Sequence, residues 1–436
     1  MLSWSHVRSC CFYTELDLKV SSFPASPSFV WSISALFYLY ELVLRVAPSV
    51  MTEELMVSFD ATSTIIGILI SFYYYSYTVL QVPCGIILDK LGTKKLLLLS
   101  ACCCVVGSCL FAGSINILSA QMGRLLVGAG SACAFISCLQ IASRLFSKEK
   151  FVILVGLTNV MGTLGGLLGG FPIARSVNAF GWQNTTFILA GIGVFIVMLI
   201  LVFIPSNLDS KSESSRPIQG SIVTNVFTLL RNTQIVLAGV ISSLMYLPIS
   251  AFAELWIVPF FISKHGINNE LASISAATIF IGIAIGSIVI AMWAKKIGGY
   301  VRTLKLSAIM TAGLFLALLY GGIDNFCASL AIVFFIGILT GAQPICFTCA
   351  KNNASAALSG TTLALTNCII MAMGAIFQPL LGAVLDMCWS GATSSNGVRM
   401  YDVTCYTVAI VTIPIALTIA YLLTFFMKET AHIEGE

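Results

Sequence analysis

The chain has 436 residues, of which 58% are hydrophobic and 9% charged, and its formal net charge is +4. Soluble domains carry about 25% charged residues, so a chain this long could not cover its surface with groups that water solvates. A charge of +4 strung between apolar runs also excludes a nucleic-acid footprint, and the composition is that of a protein with lipid as its solvent.

Residues 1–29 mix serine and cysteine with Glu15, Asp17 and Lys19. No continuous apolar run there leads to a cleavage site, so a cytoplasmic tail, or a start codon called too early, is expected rather than a signal peptide. Twelve apolar runs follow, each about as long as a bilayer crossing. Six lie at 30–51, 64–88, 96–115, 118–141, 151–173 and 187–204. Six more lie at 235–262, 274–294, 304–323, 327–350, 361–385 and 404–427. Lipid satisfies no backbone group, and the runs are too long for barrel strands, so helices are expected. A serine-rich polar stretch at 206–234 separates an N-terminal bundle (30–205) from a C-terminal one (235–427), and 428–436 forms a second tail. The predicted fold class is an all-α membrane protein of two six-helix bundles.

Span one carries Tyr38, Glu41, Arg45 and Pro48 on one helical face. Glu41 and Arg45 are spaced for an i,i+4 ion pair. The face reads either as a transport cavity, with Arg45 binding a substrate carboxylate and Glu41 switching partners or protons, or as a static brace. Span two holds Tyr73, Tyr74, Tyr75, Tyr77 and Gln81. Tyr77 and Gln81 share a face and could hydrogen-bond a polar solute, although aromatic runs are also common packing and interface devices. After it comes Gly85-Ile86-Ile87-Leu88-Asp89-Lys90-Leu91-Gly92-Thr93-Lys94-Lys95. Gly85 suits close helix approach and Gly92 a positive φ. Asp89 could accept hydrogen bonds from a neighbouring helix end or an arginine, and Lys90, Lys94 and Lys95 could meet anionic headgroups.

Span four carries Arg124 in the run Arg124-Leu125-Leu126-Val127-Gly128. An intramembrane arginine normally faces a wet cavity or a partner, the alternative being a side chain that snorkels to the headgroups. Span five places Asn159 and Thr163 on one face and is glycine-rich from Gly162 to Gly170. Span seven carries Glu254 with no basic residue within one turn, so it is expected to be unpaired: a proton carrier, or a neutral acid bonded to a neighbouring helix. Span eleven contributes Asn367 and Gln378, and such groups also simply join helices. Cys102, Cys103, Cys104, Cys109, Cys133, Cys138 and Cys368 lie inside apolar runs. Their spacing argues against a disulfide framework or a metal site, and Cys346-Phe347-Thr348-Cys349 lacks partner ligands.

With the N-terminus inside, only Arg175, Lys264 and Arg399 of the 22 lysines and arginines fall outside, and Arg45 and Arg124 fall within spans; the other seventeen are on the inner side. The halves also repeat. Leu157-Thr158-Asn159 recurs as Leu365-Thr366-Asn367, Pro48 matches Pro259, and Gly92 matches Gly298, all at nearly one offset.

The loop from Gly85 to Lys95, the arginine motif of span four, the twelve spans and the six-plus-six repeat together resemble the major facilitator superfamily of membrane transporters. That resemblance implies alternating access through two rocking halves, with a central cavity lined by span one. It implies a conformational latch at Gly85, Asp89, Lys90, Gly92, Lys94 and Lys95. The second-half loop, Ala294-Lys295-Lys296-Ile297-Gly298-Gly299, has no acid, so a one-sided latch is expected. Segment 40–51, with Tyr40-Glu41 and Ala47-Pro48-Ser49-Val50-Met51, is similar to bacterial members, some of which take up amino acids. The expected substrate residues are Tyr38, Arg45, Tyr77, Gln81, Arg124, Asn159 and Asn367, and the expected proton carriers are Glu41 and Glu254. The expected activity is proton-coupled uptake of an amino acid, short peptide or organic anion across the inner membrane, by a monomer with both termini cytoplasmic. Uncoupled facilitation, export by antiport and a non-transporting receptor are the rivals. No cofactor, no metal and no catalytic constellation are expected.

Overall fold

A computed structural model of the chain describes residues 26–206, 208, 222–297, 299–355, 358–394 and 397–429. Most of the N-terminal tail, most of the central stretch, Gly298 and the last residues, with the expectations that concern them, lie outside the described residues. So do the side chains of Gly85, Asp89 and Lys90. The described chain is almost entirely helical, with one isolated antiparallel bridge between Thr393 and Arg399.

Among the described residues, eleven helical stretches are long and apolar enough to cross a bilayer. One of them, Ile153–Phe203, is 51 residues long, about twice what a crossing needs. It breaks at Gly181, whose φ of 80° and ψ of 163° are far from helical, and it therefore supplies spans five and six. The twelve crossings are thus present, with the fifth and sixth joined by a turn that glycine can adopt without steric penalty. Span one (Pro27–Val50) starts at a Ser26 cap with Pro27 in the first turn and ends in a 3₁₀ turn containing Pro48. Span two lies in the helix Ser63–Leu91, which stops at Gly92, φ 77°. Span four (Ile117–Leu145) begins with an Asn116–Ser119 capping box. Span seven (Thr233–His265) is α-helical except for a π-helical stretch, Pro248–Trp256. Such bulges rotate the side chains that follow and recur at functional sites.

Within the N-terminal half, span three (Thr93–Ala112) packs on spans four and six, and span one on span five. The halves meet mainly where Ser63–Leu91 lies along Ser359–Cys388, spans two and eleven. Span eight, in the helix Asn269–Ile297, also packs against spans five and six. These contacts place span one and the π-helical part of span seven at the seam, where span one's ion pair meets the other half.

The structure joins Cys84 to Cys133 as a disulfide, with Cα atoms 5.9 Å apart. This corrects the reading of Cys133 as simple helix packing. The two cysteines belong to spans two and four, whose pairing no sequence spacing discloses.

Candidate functional site

The centre of the seam is a network of buried charges. Glu41, Arg45 and Glu254 expose 0%, 4% and 1% of their surface. Arg45 approaches Glu41 Oε2 through Nη2 at 3.6 Å and Glu254 Oε1 through Nη1 at 3.9 Å. Its Nε donates to the Tyr73 hydroxyl at 2.9 Å, and that hydroxyl donates to Glu41 Oε2 at 2.9 Å. Tyr74 donates to Glu254 Oε2. The Arg45 guanidinium also lies 5.1 Å from the ring centres of both Tyr73 and Tyr77.

The expectation that Glu254 is unpaired is therefore wrong. Its partner comes from the opposite half, where helical spacing cannot predict it. One guanidinium is shared between a carboxylate of its own half and a carboxylate of the other. A buried charge of either sign is strongly unfavourable alone, so the sharing ties the two halves together through their charges.

The other expected site residues divide. The Arg45 guanidinium over the Tyr77 ring brings two of the expected residues into one cluster, and Asn367 of span eleven is partly buried. Tyr38 is partly exposed and packs its ring on Phe135, 5.3 Å between centres. Arg124 stands one layer behind. Its guanidinium faces the ring of Tyr73 at 5.2 Å, and Nη1 donates to the Leu44 carbonyl at 2.9 Å. Tyr73 is thus held between two guanidiniums. Arg124 is buried, so it does not snorkel. Gln81 is buried one turn beyond Tyr77. Asn159 is exposed, and no described hydrogen bond joins its side chain to the cluster. Lys94, in the first turn of span three, donates to the Leu201 carbonyl at 2.9 Å, a contact within its own half.

Tyr73, Tyr74 and Gln378 had no place among the expected substrate residues. Gln378 donates to the Ser250 carbonyl at 2.7 Å, and Trp256 donates to the Gln378 carbonyl at 3.3 Å, so the amide ties span eleven to the π-helical stretch. The run of four tyrosines was the available signal. Periodicity alone could not separate Tyr73 and Tyr74, which bond the carboxylates, from Tyr75, which is exposed.

The Major Facilitator Superfamily profile matches residues 30–379. A probable sulfoacetate transporter of Cupriavidus necator is 26% identical over 191 residues, 42% of this chain and 43% of that protein. The hexuronate transporter of Escherichia coli is 30% identical over 181 residues, 41% of this chain and 40% of that protein. The chain thus spans less than half the length of these curated relatives. Among solved structures, a bacterial homologue of the human lysosomal transporter Spinster superposes with a TM-score of 0.76 at 12% identity, covering 93% of this chain and 97% of that one. The nucleoside transporter NupG gives 0.69 at 16% identity, covering 92% and 98%. At such identities the likeness is one of fold.

Proposed function

The chain belongs to the Major Facilitator Superfamily of membrane transporters, and we propose that it takes up a small organic anion together with a proton by alternating access. The observation that carries this reading is the sharing of Arg45 between Glu41 and Glu254. An incoming carboxylate is a better bidentate partner for a guanidinium than a carboxylate oxygen held at 3.9 Å. It displaces Glu254, which then leaves the guanidinium as the protonated acid. Net charge at the seam is unchanged, and the halves lose one tie.

In this reading Arg45 binds the substrate carboxylate, and Tyr38, Tyr77 and Asn367 orient the remainder of the solute. Arg124 supplies a second positive potential through Tyr73. Glu254 carries the proton, with Glu41 as its partner within the N-terminal half. The names of two relatives, a hexuronate and a sulfoacetate transporter, favour an organic anion over an amino acid or peptide. The bias of basic residues favours cytoplasmic termini and an inner-membrane protein, and the loop around Asp89 acts as the inner latch. The seam lies within one chain, so a monomer suffices.

The test uses purified protein in proteoliposomes with labelled hexuronate and sulfoacetate, each with and without an inward proton gradient. Gradient-driven accumulation of either supports the reading. Arg45→Gln should abolish binding. Glu254→Gln should abolish gradient-driven accumulation and leave counterflow intact. Accumulation that survives in Glu254→Gln would remove the proton role. Uptake indifferent to the gradient in the unmodified protein would establish a facilitator instead.

A further inference from the structure

The helix Ser63–Leu91 of span two begins without a cap of its own: the side chain of its N-cap residue, Thr62, makes no capping hydrogen bond. A helix start leaves its first amides without partners. Here the opposite half supplies them. Asp386, near the end of Ser359–Cys388, accepts from the Thr64 amide at 2.9 Å through Oδ2, and the Thr64 hydroxyl donates to the same oxygen. The Ser63 amide donates to the Tyr401 hydroxyl at 3.4 Å. Tyr401 and Arg399 both donate to Asp386 Oδ1, Arg399 at 3.3 Å. The fit is close, since a Cβ on Gly382 would lie 2.3 Å from the Ser63 carbonyl oxygen.

The geometry points to Asp386 as a positioning residue of the transport cycle: its carboxylate caps span two across the two halves and holds them together at the face that carries residues 386–402. A negative charge at a helix N-terminus is stabilised by the amides and by the helix dipole. Moving the halves apart at this face must expose both first amides of span two and strip the carboxylate of its two donors on Thr64, leaving it only Arg399 and Tyr401 of its own half. Asn269 Nδ2, which donates to the Val50 carbonyl at 2.8 Å, is a further tie across the same face. A cavity of about 510 Å³ lies beside the cap, with Arg399, Tyr401, Asp402, Glu53 and Glu54 in its wall. The latch implied by the Asp89 loop therefore has a counterpart at the opposite end of the same pair of helices. This inference does not depend on the cargo or the coupling ion.

The test is hydrogen–deuterium exchange by mass spectrometry on the full chain in nanodiscs, comparing the unmodified protein with Asp386→Asn and Asp386→Glu. Losing the charge-assisted bonds should shift the gate equilibrium about tenfold or more. In Asp386→Asn, exchange in peptides spanning residues 50–66 should rise by that factor. Exchange in peptides around residues 146–152, at the opposite face, should stay level or fall. Asp386→Glu should recover part of the protection. A purely structural role predicts faster exchange at both faces. That outcome, or no change in residues 50–66, overturns the assignment.

Discussion

The Arg45–Glu254 pair allows a stability measurement that needs no substrate. At 3.9 Å and an effective dielectric of about 20, the Coulomb attraction is about 4 kcal/mol. Removing one partner leaves a charge in a site with almost no water access, and such truncations cost about 3–5 kcal/mol. Arg45→Met removes the cation at similar length, while Glu254→Gln removes the anion and keeps an acceptor for Tyr74. Each single variant should lose about 3 kcal/mol. The double variant should lose less than the sum, by about 2 kcal/mol, because the second substitution removes a charge the first had already stranded. The Arg45–Glu41 contact is lost in both Arg45 variants and so cancels in the cycle. Denaturation in nanodiscs, followed by steric trapping, reads all four proteins. Additivity within about 0.5 kcal/mol, the ordinary figure for independent sites, would refute the pairing of the two halves through this charge.

Two further outcomes follow from the packing and from the face around Asp386. A Cβ on Gly128 would lie 2.0 Å from the Tyr73 carbonyl oxygen, so Gly128→Ala should destabilise by about 1–3 kcal/mol; Gly191→Ala, with nothing within 4 Å, should be neutral or slightly stabilising in the same steric-trapping measurement. Burial, and then the hydrogen bond to Asp386, push the Tyr401 hydroxyl up to about 12 from its ordinary 10. A raised folded value means that this contribution is fully present below about pH 10 and is lost as pH rises towards 12. Melting temperatures across that window should fall more steeply in the unmodified protein than in Tyr401→Phe; parallel curves would contradict the bond.

The legible part of this protein was the part governed by local rules. A bilayer forces each crossing to satisfy its own backbone, so apolar runs between about residues 30 and 427 announce helices before any packing is known. Glu41 and Arg45 are four apart in one helix, and their contact could be read directly. Span five and span six were also visible as separate runs, although only the dihedrals of Gly181 mark the turn between them.

The site was legible in its residue types and much less in its pairings. Glu254 looked solitary because its partner lies in the other half. Asp386 carried no motif, because the group it caps is the Thr64 amide of a helix from the other half and a backbone amide leaves no trace in composition. Tyr73 and Tyr74 were indistinguishable from Tyr75 in the sequence, yet the first two hold carboxylates and the third is exposed. By itself the sequence determined the class, the crossings and the charged residues that had to be sheltered, since burial in lipid acts residue by residue. Only the tertiary structure decided which charges meet, because that depends on how helices distant in sequence face each other across a seam.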